Sequence, residues 1–292
     1  MSRPPDNPLA AAMPPEVRAR FDALCERVQD LGSLLVAFSG GVDSACMLRV
    51  AVLELGADRV LAVTGRSPSV PKAELDAAAP LAAALGARHE YLDTSEFADA
   101  NYLANPVNRC YYCKTELYSQ LEPLRVRHGL NAIANGVNAD DLGDHRPGLT
   151  AAREHGVHAP LAECGITKRE VRLIASAISV PVHDKPASPC LSSRVQYGEA
   201  ITVEKLERID AAETFIRGLG FRELRVRHHG DVARIEVPAD ELHRFADAAL
   251  RTRVDQKLRE LGYRYVALDL RGFRSGSLND VLLGGALARL ER

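Results

Sequence analysis

Two rhythms of apolar residues alternate along the first half of the chain. EVRARFDALCERVQDL carries them at helical spacing, and SLLVAF is a short unbroken run of the kind that parallel strands buried on both faces show. The pair then repeats. Helices are predicted over SACMLRVAVLELG, KAELDAAAPLAAALG and KTELYSQLEPLRVRHG, each followed by a strand, RVLAVTG, HEYLDT and AIANGVN. Gly56, Gly86 and Gly129 stand where those helices should end. Strands alternating with helices predict an α/β fold with a parallel sheet between helical layers.

After Asn138 the rhythm weakens. ADDLGDHRPGLTAAREHGVHAPLAECG reads as loop with one short helix, and a helix follows from about Thr167 to Ser179. VPVHDKPASPCLSSRVQYGEAIT has no periodicity, and a long loop in a compact enzyme is usually functional. From Thr202 the order becomes a helix over 202–219, a hairpin RELRVRHHGDVARIEV turning at Gly230, a helix over 239–261 and the strand YRYVALDL. The expected organisation is a flexible tail over 1–16, a parallel-sheet domain over 17–195 and a smaller α+β domain over 196–292.

Composition narrows the class. The chain has 292 residues, 46% hydrophobic and 26% charged, with a formal net charge of -2, the profile of an ordinary globular protein with no bulk attraction to nucleic acid or anionic membrane. No segment reads as a signal peptide or membrane span, so a cytoplasmic enzyme is expected. Six cysteines, unevenly spaced, do not make a disulfide framework.

The turn SGGVDS joins the first strand to the next helix. Unpaired N–H groups and the positive end of a helix meet there, an anion site that Gly40 and Gly41 open to close approach and that Ser39 and Ser44 supply with hydroxyls. Asp43 repels an anion, which makes sense if it holds Mg²⁺ against phosphates. The alternative is a plain turn with Asp43 or Ser44 capping the helix. SGGVDS resembles the loop of the N-type (PP-loop) ATP pyrophosphatases, which cleave ATP between the α- and β-phosphates and adenylate a substrate oxygen. That resemblance implies ATP contacts at Ser39, Gly40, Gly41, Asp43, Ser44 and Thr64. GVNADD, at the carboxyl edge of the fourth strand, adds Gly136 for close approach of a purine and Asn138 with Asp140 or Asp141 as polar ligands. An ordinary strand-to-loop turn is the competing account of that segment.

Cys110 and Cys113, separated by two tyrosines just before a predicted helix, can face one ion. The spacing fits half a zinc site, a redox dithiol or part of an iron–sulfur cluster. Cys190, in KPASPCLSSR, is the candidate third member, leaving one coordination position open. Cys25, Cys46 and Cys164 lie on apolar helical faces or near a helix start and read as core residues.

SGGVDS, NRCYYCKTELY, GVNADDLGDHRPGLTAA, KPASPCLSSRVQYGEAIT, RVRHHGDVARIEV and YVALDLRGFRSGSLN occur in the order found in the LarE family, a resemblance covering nearly the whole chain from about Val17. It implies ATP-dependent sulfur transfer in biosynthesis of the nickel-pincer nucleotide cofactor of lactate racemase. The carboxylate of a pyridinium mononucleotide attacks the α-phosphorus of ATP, and sulfur then displaces AMP. Cys190 matches the family's sulfur-donor cysteine, which sacrificial members consume. With Cys110 and Cys113 present, the chain resembles the subgroup whose three cysteines hold a 4Fe–4S cluster that binds the sulfide. The resemblance further implies a sulfide or other sulfur donor, lactate racemase maturation proteins as partners and a homo-oligomer such as a hexamer, with neither membrane nor nucleic acid involved.

For the substrate phosphate, Lys185, Arg194, Arg225 and Arg227 are the candidates, with Arg234 on the same hairpin; guanidinium forks suit phosphate, and a solvated charged face is the alternative. Glu199, His228 and Glu236 are candidates to bind metal or orient groups. The competing functions are transfer RNA thiolation, which should add a basic aromatic module, an amidotransferase or NAD-synthetase type ligase, which needs no cysteine trio, and a nucleotide-binding regulator without chemistry.

Overall fold

The computed structural model describes residues 13–143 and 147–274. Most of the tail expected over 1–16 and the end of the last motif, from Ser275, lie outside the described residues. Met13 is buried and helix α1 (Pro15–Leu31) begins at once. The chain divides into two compact units: one runs through Tyr102 and resumes over Val107–Ser188, the other takes Leu103–Pro106 and Pro189 onward.

In the first unit β1 (Leu34–Ala37), α2 (Val42–Leu55), β2 (Val60–Arg66), α3 (Lys72–Ala84) and β3 (Arg88–Asp93) follow in turn. Then come α4 (Ala100–Leu103), which runs into the second unit's short insertion, α5 (Arg109–Arg127), β4 (Ala132–Ala134), α6 (Pro147–Glu154), α7 (Pro160–Glu163) and α8 (Lys168–Ala177). The four strands are parallel in the order β3-β2-β1-β4. Strand alternation splits the core in two. Leu34, Val36, Val60 and Ala62 face the layer of α1, α2, α3 and α8, whereas Leu35, Leu61, Val63 and Ile133 face α5 and α6. β1, at the centre, is almost wholly buried, while β3 at the edge alternates toward solvent. Gly56, Gly86 and Gly129 follow α2, α3 and α5 with φ of 82°, 81° and 61°, the left-handed values a residue with a side chain rarely takes.

The second unit adds α9 (Val203–Gly218), β5 (Arg225–His229), β6 (Val232–Glu236), α10 (Ala248–Glu260) and β7 (Tyr265–Leu268). β5 and β6 form the antiparallel hairpin turning at Gly230 (φ 58°), and β7 joins β6 in parallel. Ile216 of α9 and Leu258 of α10 lie in one core with Val226 and Ile235 of the sheet. The helix expected over 239–261 is broken: Ala239–Ala246 is a 3-10 stretch, and Asp247 starts α10 afresh by accepting from the Ala249 N–H at 2.8 Å.

The division at Ser188 precedes the expected one because Arg194, in the turn Leu191–Arg194, is paired with Glu213 of α9. The insertion Leu103–Pro106 is bonded into the same unit. Asn105, wholly buried with φ of 51°, donates to the carbonyls of Gln196 (2.6 Å) and Glu199 (3.1 Å), and its own carbonyl accepts from Gly198. Among the described residues no helix is long and apolar enough to cross a membrane.

Candidate active site

β1 pairs with β2 on one side and β4 on the other, so the chain reverses direction across the sheet between β1 and β4. The crevice beyond the carboxyl ends of such strands is where open parallel sheets bind ligands. The turns after β1 and β4 both arrive there.

In the first turn Gly40 takes φ of 71° and Gly41 precedes α2. The loop is braced from within: the Ser39 N–H donates to Ser44 Oγ at 3.2 Å, the two hydroxyls are 3.1 Å apart, and Ser44 Oγ donates to the Gly41 carbonyl at 3.1 Å. No side chain caps α2, the arrangement in which the N–H groups of a helix's first turn suit an anion. Thr64, expected to touch nucleotide, is buried. Its hydroxyl donates to the Phe38 carbonyl at 2.8 Å, which leaves His89 Nε2–H, 2.9 Å away, as donor to Thr64; burial lowers the His89 pKa and keeps the ring neutral.

The second turn is keyed to the first. A Cβ on Gly136 would lie 2.6 Å from the Ser44 nitrogen and 2.8 Å from the Asp43 carbonyl carbon, so this glycine admits the backbone of α2. The sequence-based expectation for Gly136 is close approach of a purine. Asn138, buried, donates through Nδ2 to Asp43 Oδ1 at 3.2 Å. Asp140 Oδ2 accepts from the Lys168 N–H at 2.9 Å, which places it at the start of α8, and Asp141 Oδ2 accepts from the Asn138 N–H at 3.1 Å.

Two residues at this crevice carry charge that sequence reasoning missed or placed elsewhere. Lys168, first residue of α8, lays its ammonium on Asp43 Oδ2. Its position is set by a capping box: Thr167 Oγ1 accepts from the Glu170 N–H at 3.4 Å, and Glu170 Oε2 accepts from the Thr167 N–H at 2.8 Å. The sequence signal was the TKRE string, legible as a helix start and silent about where its lysine lands. Lys185, expected at a substrate phosphate, lies with Nζ 2.5 Å from Glu74 Oε2 and 3.3 Å from the Gly40 carbonyl. The Asp43 carboxylate is about a quarter exposed.

Cys110 and Cys113 are the second and fifth residues of α5, which starts earlier than predicted, and three-residue spacing puts both thiols on one face. Cys110 is exposed and Cys113 half-buried. α6 packs on this part of α5: a Cβ on Gly148 would come 3.5 Å from the Cys110 carbonyl, and Tyr111 donates to Glu154 Oε2 at 2.7 Å. Cys190 is half-buried in the second unit. Among the described residues no three Cys, His, Asp or Glu side chains form a group that would hold a metal ion. Cys25 and Cys46 are core residues, with burial pushing the Cys46 thiol far up, and Cys164 is half-buried against the same core.

Three of the candidate arginines of the second unit, Arg194, Arg225 and Arg227, are buried. Arg194, fully enclosed, makes a two-pronged pair with Glu213 (2.9 and 3.0 Å) and donates to the carbonyls of Pro189 and Cys190. Arg227 donates to Glu236 at 2.9 Å and to the Ser193 carbonyl at 2.7 Å. Arg225 lies against the Phe273 ring; burial and then the charge of Arg194 lower its pKa to about 10, still fully protonated at neutral pH. Arg234, more open, pairs with Glu236 and Asp269. His228, whose pKa burial lowers, contacts Glu199 Oε1 at 3.2 Å as a neutral ring.

No protein-family model matches the chain. An uncharacterised protein of Synechocystis sp. is 46% identical over 266 residues, 91% of this chain and 99% of its own. The pyridinium-3,5-bisthiocarboxylic acid mononucleotide synthase of Lactiplantibacillus plantarum is 38% identical over 265 residues, 91% of this chain and 95% of its own. Argininosuccinate synthase of Halobacterium salinarum is 30% identical over 161 residues, 52% of this chain and 40% of its own. A parallel sheet reversing at the SGGVDS turn, shared with such ATP-using relatives, defines an enzyme of the PP-loop class. Within that class the chain belongs to the LarE family of ATP-dependent sulfur transferases.

Proposed function

We propose that the enzyme adenylates a carboxylate of pyridinium-3,5-biscarboxylic acid mononucleotide and replaces its oxygen by sulfur, giving the thiocarboxylate precursor of the nickel-pincer nucleotide. The carboxylate oxygen bonds to the α-phosphorus of ATP and the α–β bridge breaks, releasing pyrophosphate. A sulfide then bonds to the acyl carbon, and AMP leaves with the oxygen. Activation is needed because a carboxylate is a poor acyl donor, whereas a thiolate or sulfide is a strong nucleophile at neutral pH.

The observation that carries this reading is the Lys168–Asp43 pair at the open end of α2, where an exchangeable cation and a carboxylate share an anion site. Mg²⁺ on the triphosphate would take Asp43, and Lys168 would turn to the phosphates as charge builds on the leaving group. The name of the Lactiplantibacillus relative supplies the acceptor.

For sulfur, the reading assigns Cys110, Cys113 and Cys190 to a 4Fe–4S cluster, a group their chemistry fits as accessible thiols, two of them on one turn. When bound, that cluster would supply the sulfide to be transferred. Arg225 and Arg227 are the reading's contacts for the acceptor phosphate. Arg194, Arg225 and Arg227 are all buried, and burial and then the charge of Arg194 lower the Arg225 pKa, a setting in which an arriving phosphate would be favoured. A homo-oligomeric state and service to lactate racemase maturation complete the proposal.

Iron, acid-labile sulfide and the visible spectrum are to be measured on protein purified without oxygen, beside Cys113→Ala. A brown wild type and a colourless variant support catalytic delivery through the cluster. Colourless protein in both after reconstitution, with Cys190 losing one sulfur per transfer, returns Cys190 to a consumed donor.

A further inference from the structure

Lys185 is held on the phosphate loop by a carboxylate that competes with phosphate. Glu74, in the first turn of α3, takes its ammonium at 2.5 Å, and the Gly40 carbonyl lies 3.3 Å from the same nitrogen. The backbone beneath is fixed, because Arg172 of α8 donates to the carbonyls of His183 and Lys185, each at 2.9 Å. Only the flexible stem can move, and an ammonium on four methylenes changes partner readily. Lys168, from the start of the same helix, makes the matching arrangement on Asp43. Two cations therefore flank one anion site, each resting on a carboxylate that an arriving triphosphate would repel.

We propose that Lys185 binds the β,γ-phosphate end of the nucleotide, the leaving pyrophosphate, and that Glu74 is a positioning residue that keeps the ammonium beside the loop until phosphate takes it over. The proposal rests on the reading that nucleotide occupies the Ser39–Ser44 loop, and it moves Lys185 from the acceptor's phosphate to the nucleotide's. Once Lys185 has turned to phosphate, Glu74 stands uncompensated near the anion and favours release of pyrophosphate. A residue needed only for folding would weaken binding when lost; Glu74 removed should strengthen it.

The full-length protein, Glu74→Gln, Lys185→Met and the double variant are titrated calorimetrically with magnesium pyrophosphate and with AMP, after thermal melts establish that each is folded. Lys185→Met is expected to weaken pyrophosphate about tenfold and to leave AMP within about twofold. Glu74→Gln is expected to tighten pyrophosphate about fivefold, the size of a partly exposed ion pair no longer competing. The double variant should bind pyrophosphate more tightly than Lys185→Met and less tightly than Glu74→Gln, because the carboxylate left uncompensated in Lys185→Met is gone. Weakened or unchanged pyrophosphate binding in Glu74→Gln, or equal loss of AMP and pyrophosphate in Lys185→Met, overturns the proposal while leaving the adenylation reading intact. Failure of the wild type to bind either ligand overturns both.

Discussion

Both units carry ion pairs next to motif residues, and they differ in what surrounds the charges. In the first unit Lys168–Asp43 and Lys185–Glu74 are partly open to water, with side chains 17–37% exposed. In the second, Arg194–Glu213 and Arg227–Glu236 are enclosed by protein. Water lowers the cost of breaking the first kind, so a ligand can substitute for either partner. The second kind, stripped of one partner, strands a charge where nothing solvates it. Charge near a motif is thus available for chemistry in one unit and committed to structure for Arg194 in the other.

Arg194→Met should separate the two kinds most strongly. It leaves Glu213 buried without its main partner and is expected to cost about 3–5 kcal/mol in urea denaturation, much of it restored when Glu213→Leu is added. Lys168→Met should do the reverse: stability within about 1 kcal/mol of wild type, and pyrophosphate release in the acceptor-dependent assay down about a hundredfold. Equal losses of stability in the two variants would erase the distinction.

Gly136→Ala tests how closely the two crevice turns are keyed. The added methyl meets backbone of α2 rather than a yielding side chain, and a cost of about 1–3 kcal/mol is expected, with weaker ATP binding, by denaturation and titration. Thr167→Ala, which removes the cap that aims Lys168, should cost about 1 kcal/mol and lower the adenylation rate less than Lys168→Met does.

The smallest and most graded effect is that of pH on the second unit. Burial alone would raise the Glu213 carboxyl, but Arg194, then Arg217 and the Val226 N–H, hold it below the usual range. A carboxyl depressed in the folded state contributes stability above its unfolded pKa, and that stability is lost as pH falls through the folded value. His228, lowered mainly by burial, acts in the same direction from higher pH: its contribution is complete above about 6.5 and declines below. Melting temperature should therefore fall as pH drops below about 6.5 and again below about 4, with the first step reduced in His228→Gln and the remainder owed to His89 and His229, which burial shifts the same way.

The elements legible in the sequence were those whose pattern is local. Unbroken apolar runs gave β1 and β2, and glycines marked the ends of α2, α3 and α5, because burial on both faces and left-handed backbone restrict residue type at the position itself. SGGVDS was legible for the same reason. The partners of its residues were not: Lys168 lies 125 positions from Asp43, and Lys185 lies 111 from Glu74. Pairings at such separation depend on sheet order, which periodicity does not specify. Arg225 and Arg227 stand two apart on β5, and alternation does not tell an open face from a buried one. Asp247, lost within a helical pattern, interrupts it by capping the next helix with its own side chain.

Asn105 sets an order of events during synthesis. Its buried amide bonds to carbonyls near residues 195–199, and 90 positions separate it from Val195. At about 5–20 residues per second, the ribosome adds that stretch in roughly ten seconds. Through that interval the Leu103–Pro106 segment has no unit to join, while the strands and helices on both sides of it are already emerging. A nascent chain paused before residue 195 would hold that amide in water, and only completion of the loop beyond Cys190 gives it a home.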